Sequence, residues 1–427
     1  MPTVTQNYGI KKPIDGEKYD LKVINENADI IDESIKEVDG RISNIIAQSG
    51  TSSTEVVDAR GTYTVLGDRL ENIETTLGMK SILGAKWNRT SNPIMTRIGG
   101  AVGMTAAIGI DGQVVINDFD NAPIYRDMKQ VTDLLGNVFI RIPKFYIRKQ
   151  VTSTFQTWEV SPFKHDGFYL PWCFWDFVNN KELDYVDVGK YQASKSVDNK
   201  LESKPLTYPL INASIVTFRT YARANGAGYG QFDIHVADAL QTLFLVEFAT
   251  LNSQAVMPGF TNGKYEATRL AVLTETAVNR VVLANANADV FKVGQPISIG
   301  TSQGGNQVFY GRTITAINVV DASNKELVFD GAPVNITTGN VVYNTGWRSG
   351  WSSAVLAKSG TIIANDGFYP MMYRGIESLY GDVWKWVDGV NINERQAWVC
   401  ENQDSYVSNL FTAPYKMLSY VNALTDG

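Results

Sequence analysis

The stretch YRGIESLYGDVWKWVDG, residues 373–389, places Trp384 and Trp386 on alternate positions between Gly381 and Gly389. Val383, Lys385 and Val387 fill the positions beside them. In an extended strand, successive side chains point to opposite faces, so both indoles would leave on one side. Two large rings on one side are expected in a common core, as structural residues. The other reading is a surface aromatic clamp for a sugar, because tryptophan joins an apolar body to a polar tip.

The rest of the chain is compatible with such a core. Hydrophobic residues make up 44% of the 427 positions and charged residues 19%, enough to bury two or three domains. The net charge of -6 comes without a basic block, which argues against a nucleic-acid partner, since phosphate binding needs clustered Lys and Arg. Only Cys173 and Cys400 occur, so no disulfide framework is expected, and with His165 and His235 as the only histidines a zinc site would lack ligands. The amino end has no apolar signal-peptide core, and no run approaches the roughly 18 apolar residues of a membrane span. The expectation is synthesis and folding in a cytoplasm, with any work outside a cell reached by a route other than secretion.

Towards the amino end, LKVINENADIIDESIKEVDGRISNII (residues 21–46) carries Leu21, Ile24, Ala28, Ile31, Ile35, Val38, Ile42 and Ile45 at alternating three- and four-residue spacings. That is a heptad seam, too narrow for a helix lying on a globular core. β-Branched residues at both seam positions favour three or more strands over two. After a break at QSGTSSTE, Leu66, Leu70, Ile73 and Leu77 repeat the spacing, and Gly78 reads as a C-cap. A segmented trimeric coiled-coil stalk over residues 1–78 is the expectation, with a generic helical hairpin as the alternative.

Beyond about residue 80 the texture changes. GNVFIRIPKFYIRK (residues 136–149) reads as strand, and QFDIHVADALQTLFLVEFAT (residues 231–250) as a helix capped near Asp233. Residues 263–346 alternate β-prone runs such as RTITAINVV with turns such as GTSQGGN, DASNK and DGAP. They read as a small all-β module interrupting an aromatic-rich domain, residues 79–262 and 347–427.

A resemblance enters at this point. GDVWKWV is similar to the GNVWEW signature of the C-type-lectin-like fold of formylglycine-generating sulfatase modifiers and retroelement-diversified phage tropism proteins. FRTYARANGAGYGQFD (residues 218–233) and IPKFYIRK fit the same template, with Asp382 in place of the family's Asn. YRGIESLYGDVWKWVDGVNI looks like phage and prophage tail-tip proteins, and SGTSSTEVVDARGTYTVLGDRLENIE resembles linkers of phage tail-fibre and baseplate proteins. The chain ends at Gly427, soon after the motif, where relatives continue, so the last strands of such a domain would be missing or supplied differently.

The resemblance implies an α+β protein: a trimeric stalk followed by a C-type-lectin-like domain with an inserted β module. It implies a tail-fibre or receptor-binding protein of a phage or tail-like particle. Its partners would be a homotrimer, other tail or baseplate proteins through the amino end, and a bacterial surface glycan or protein receptor. Its location would be the virion tail, without membrane insertion. In such proteins the segment after the tryptophan motif forms the contact surface. Here that is NINERQAWVCENQDSYVSNLF (residues 391–411), in which Trp398, Asn402, Asp404, Tyr406 and Asn409 are the contact candidates. Ordinary loop and core roles for these five are the alternative.

Enzymatic readings find less support. The apolar contexts LPWCFWDF and AWVCEN suggest inert thiols and do not match a sulfatase-modifier site. A polysaccharide hydrolase would need two carboxylates about 5 to 9 Å apart, and neither Asp118 with Asp120, Asp184 with Asp187, Asp233 nor Glu247 is singled out by spacing. GAGYG (residues 226–230) lacks the spacing and lysine of a phosphate loop and reads as a tight turn. Lectin-like loops admit calcium, but no EF-hand or nonapeptide spacing supports it, so no cofactor or metal is expected. Two other classes stay open: a structural baseplate component without receptor contact, and a surface-polysaccharide depolymerase.

Overall fold

The computed structural model describes residues 21–51, 81–90, 95–110, 115–354, 360–362 and 366–418. The chain is mixed α+β with more strand than helix, and divides into two units, Met1–Gly78 and Met79–Gly427.

In the first unit, helix α1 (Leu21–Thr51) follows the heptad-spaced stretch. It continues past Gly40 and through Gln48, Ser49 and Gly50, where the sequence suggested a break. An interior glycine costs a helix only about 1 kcal/mol relative to alanine, which weakens the segment without ending it. Within the chain, Ile24, Ile31, Ile35, Val38 and Ile42 are all exposed. The side chain of Ile45 and the second heptad block, Leu66, Leu70, Ile73 and Leu77, lie outside the described residues.

The second unit is built around a four-stranded antiparallel sheet. Strands β1 (Leu83–Asn88), β2 (Met95–Gly99), β5 (Tyr146–Val151) and β6 (Phe155–Ser161) pair in the order β2-β1-β6-β5. β3 (Lys129–Thr132), β4 (Val138–Pro143) and β7 (Tyr185–Gly189) form a second sheet, centred on β4. Alternating burial along β4 places Ile140 and Ile142 inside. Two helices, α2 (Ile215–Arg223) and α3 (Ile234–Phe248), complete the domain.

α3 starts where its sequence says it should. The Asp233 carboxylate accepts from the His235 and Val236 amides at 3.0 and 2.9 Å, satisfying donors that the first turn leaves free. Val236, Leu240, Leu243 and Phe244 join Ile147, Trp158 and Val160 in one core. Each such side chain contributes about 1.5–3 kcal/mol on full burial, so this helix-on-sheet contact contributes substantially to the unit's stability.

The interrupting segment has a sheet of its own. β8 (Arg280–Ala284), β9 (Pro296–Ser302), β10 (Gly305–Val319), β11 (Asn324–Phe329) and β12 (Val341–Asn344) run in the order β8-β11-β10-β9-β12. They enclose a separate apolar cluster that includes Val281, Ile297, Ile314, Leu327 and Phe329. One helical turn, Asn285–Ala288, adds to an otherwise β arrangement. At the neck, the Lys264 amide donates to Asn344 Oδ1 and the Asn344 amide to the Lys264 carbonyl, each at 2.8 Å. The segment's two ends are therefore adjacent, as an insertion requires.

The largest departure from expectation is at the tryptophan motif. Residues 383–387 form no strand, so alternation does not govern them, and Trp384 and Trp386 are not core residues. Trp384 is fully exposed and Trp386 is 51% exposed. The motif is fastened by its acids and glycines instead. Gly381 (φ +68°) lies against the backbone of Gly259 and Phe260, where a Cβ would come within 3.1 Å of the Phe260 nitrogen. Asp382 Oδ1 accepts from the Trp347 amide at 3.2 Å. Asp388 is buried in a two-pronged ion pair with Arg219 at 2.8 and 2.7 Å, and its backbone exchanges hydrogen bonds with Phe232 and Ile234. Anchored at both ends, the segment between them projects its indoles outward.

After the motif, β13 (Val390–Asn393), β14 (Gln396–Cys400) and β15 (Tyr415–Met417) make a small antiparallel sheet, and Cys400, Tyr406 and Tyr415 form its buried cluster.

Candidate functional site

The projecting indoles border a cavity of ≈ 280 Å³. Its walls come from β7 and the residues after it (Tyr191, Gln192), from α2 (Phe218, Ala222), from the glycine loop (Gly228, Tyr229, Gly230) with Gln231 and Phe232, and from Val383, Trp384, Lys385 and Trp386. On the other side of the glycine loop lies a second cavity of ≈ 360 Å³, lined among others by Arg219, Arg223, Gln231, Asp404 and Tyr406. Gly226 (φ +124°) and Gly228 (φ +82°) take conformations that an L side chain resists. The loop is thus the tight turn expected of it, and it serves as the partition between the cavities.

Trp386 is fixed in place: its indole N–H donates to the Ala213 carbonyl at 2.9 Å, while half the residue stays open to solvent. Beneath it, Gln192 joins two opposite charges. With its amide oriented to satisfy both neighbours, its nitrogen donates to Asp382 Oδ2 and its oxygen accepts from Lys385 Nζ, each at 2.6 Å. Lys385 is exposed along its chain, and its amine turns in to reach this partner. Burial pushes the Asp382 carboxyl up to about 7 against the pull of Lys385. Desolvation likewise brings the Lys385 amine down to about 8 against the pull of Asp382.

A pH prediction follows. An unfolded aspartate titrates near 3.8, so between there and about 7 the folded chain holds a proton that the unfolded chain lacks. This contribution to stability is complete below 3.8 and is lost as pH rises through about 7. The lysine contribution is complete above 10.5 and is lost as pH falls through about 8. Asp382→Asn should therefore gain on the wild type between pH 5 and pH 8, by on the order of 2 kcal/mol at about 1.4 kcal/mol per unit of pKa difference. Urea midpoints measured across that range check it, and parallel curves for the two proteins would refute it.

The five contact candidates do not converge. Tyr406 is buried and its hydroxyl donates to Asp233 Oδ2 at 3.3 Å, so it is a framework residue and not an exposed contact; burial raises its phenol. Gly389 (φ +77°) lets that ring approach, since a Cβ there would meet it at 2.7 Å. Asn402 caps a short turn by accepting from the Asp404 amide at 2.9 Å. Trp398 is half-buried edge-on against Phe411. Asp404 and Asn409 are exposed, and Asp404 reaches the second cavity. The residues that do come together, Gln192, Phe218, Tyr229, Gln231 and Lys385, were not singled out from the sequence. The glycines preceding Gln231 were the only local signal.

The weighed carboxylates serve as structural ties. Asp118 accepts from the Thr105 amide and hydroxyl at 2.7 and 2.9 Å. Asp187 makes a two-pronged pair with Arg141, and Asp184 meets Lys144 at 3.4 Å. Glu247, wholly inaccessible, accepts from Arg374, Tyr373 and Asn117, and Arg374 also donates to Asp120 at 2.6 Å. Burial raises the Glu247 carboxyl against the pull of Arg374. Both cysteines are free, and burial pushes both thiols up. Among the described residues, no group of three or more His, Cys, Asp or Glu could hold a metal ion, and no helix is long and apolar enough to cross a membrane.

Comparison with protein-family models, curated proteins and solved structures finds no match for this chain. The functional reading therefore rests on the geometry and on the sequence resemblance.

Proposed function

We propose that the chain is an attachment protein of a phage tail or tail-like particle, which assembles in several copies through α1 and engages a bacterial surface receptor at the cavity beside Trp384 and Trp386. The carrying observation is that pair of exposed indoles, one of them hydrogen-bonded into position, at the mouth of a preformed cavity. Exposed tryptophans are costly to leave in water and are enriched where proteins bind. The exposed apolar seam of α1 supports self-association. The likeness of residues 49–74 and 373–392 to tail-fibre and tail-tip proteins supports the particle. Several copies would convert weak single contacts into firm attachment through effective concentration.

The test is binding of fluorescently labelled full-length chain to a panel of bacteria. Wild-type protein should decorate at least one strain, and Trp384→Ala with Trp386→Ala should reduce that signal tenfold or more. Failure to label any strain, together with capture of tail components alone, would favour the structural baseplate role.

A further inference from the structure

We infer that the cavity beside Trp384 and Trp386 takes an uncharged pyranose ring: its carbon face lies on the Trp386 indole and its hydroxyls meet the amide of Gln231. The inference rests on the attachment reading above and specifies the chemistry of its receptor.

Three observations lead there. The first is a set of unused hydrogen-bonding groups. Gln231 lines both cavities, and its Oε1 and Nε2 have no protein partner; both atoms are covered in this structure, so a ligand reaches them as the side chain turns into the cavity. A buried amide left unsatisfied costs about 1–3 kcal/mol, which a ligand that both donates and accepts would recover. A hydroxyl does both, and two adjacent hydroxyls on a ring match the two ends of one amide.

The second is the state of the charges. Those around the cavity are already engaged within the protein. Asp187 is paired with Arg141, and Glu202 with Lys204 at 2.5 Å. Asp233 caps α3, and Glu377 accepts from the amides of Gly350 and Ser352 at 3.0 and 2.9 Å. Asp382 and Lys385 share Gln192. The Tyr229 hydroxyl is likewise spent on Asp133, at 2.7 Å. A phosphate, uronate or ammonium group entering here would give up its hydration without meeting a free counter-charge, a loss that hydrogen bonds to neutral groups do not offset.

The third is shape. The volume lies at the small end of the range for ligand pockets, about 300 Å³, which suits a ring or two better than an extended peptide. The Trp386 ring is held by its bond to Ala213, so little side-chain entropy is lost when a ligand packs on it.

The experiment titrates full-length protein with methyl glycosides of glucose, galactose, mannose, rhamnose and N-acetylglucosamine. Glucuronate and glucose 6-phosphate serve as charged counterparts, and saturation-transfer NMR is the readout. At least one neutral glycoside should bind, with saturation strongest at its ring C–H protons and affinity at least tenfold above the charged compounds. Gln231→Leu and, separately, Trp386→Ala should each weaken it by threefold or more. Trp386 is half exposed and lies in no helix or strand, so its replacement keeps the test valid if Gln231→Leu misfolds. Equal or tighter binding of the charged compounds, no binding of any neutral glycoside, or indifference to both substitutions would overturn the inference. If bacteria are labelled through the two tryptophans but no neutral glycoside competes, attachment stands and the saccharide assignment falls. If a glycoside binds in the cavity but no strain is labelled, the assignment stands and attachment falls.

Discussion

Arg374→Gly should lower the unfolding free energy by about 3–5 kcal/mol at neutral pH, the range for removing one partner of a buried ion pair. Arg374 stands in an unusual position. With Gly375 it forms the two-residue turn between Met372–Tyr373 and Ile376–Glu377, with φ of +49° and +88°. A tight hairpin turn with both central residues at positive φ ordinarily takes Asn-Gly or Gly-Gly, and an arginine there carries strain. Glycine would relieve the backbone, so local conformation alone predicts that Arg374→Gly stabilises. The guanidinium nevertheless lies between Glu247 and Asp120, with Tyr373 and Asn117 completing the Glu247 shell. Without it, a wholly buried carboxylate must either stay charged alone or take up a proton. The loss should therefore shrink as pH falls, because Glu247 is then neutralised in both proteins. Arg374→Gly combined with Glu247→Leu should cost less than the sum of the single changes, since both charges leave together. Urea denaturation followed by tryptophan fluorescence measures all three proteins. A gain in stability for Arg374→Gly at pH 7 would show that the turn, and not the ion pair, governs this site.

Ile31→Lys with Ile35→Lys should convert an associated protein into single chains. Both residues are exposed on α1, along with Ile24, Val38 and Ile42. Each would recover about 1.5–3 kcal/mol per chain on full burial against other copies. Charges placed at two seam positions remove that gain and add like-charge repulsion between neighbouring helices. Sedimentation equilibrium should give a multiple of the chain mass, three on the reading of the branched seam residues, for the wild type and one chain mass for the variant. Labelling of bacteria should fall by a factor on the order of 10² or more, because avidity is lost while each binding site is untouched. A wild-type protein that sediments as one chain at micromolar concentration would remove the basis for the stalk.

The two parts of the molecule differ in how far they could be read in advance. α1 and α3 were legible because a helix imposes its own period on the sequence, and Asp233 announces the start of α3 by what it does for the amides of His235 and Val236. The strands of the insertion were legible because glycine- and aspartate-rich turns punctuate them.

The site was hardly legible, and the tryptophans show why. Alternation assigns side chains to faces only where the backbone is a paired strand, and pairing is a property of the neighbours. The segment 383–387 has none, so the facing of Trp384 and Trp386 followed from distant anchors: Arg219 holding Asp388, and the Trp347 amide holding Asp382. Gln231 gave no sign in its local sequence that its amide would go unpartnered, because that depends on what every other wall of the cavity lacks. Sequence alone determined the helices, the turn-bounded strands and the apolar seam, since these depend on residues a few positions apart. Tertiary structure decided which aromatics are buried, which charges are spent and where the cavity opens, because those outcomes depend on contacts between separate segments, such as Arg219 with Asp388 and Gln192 with Lys385.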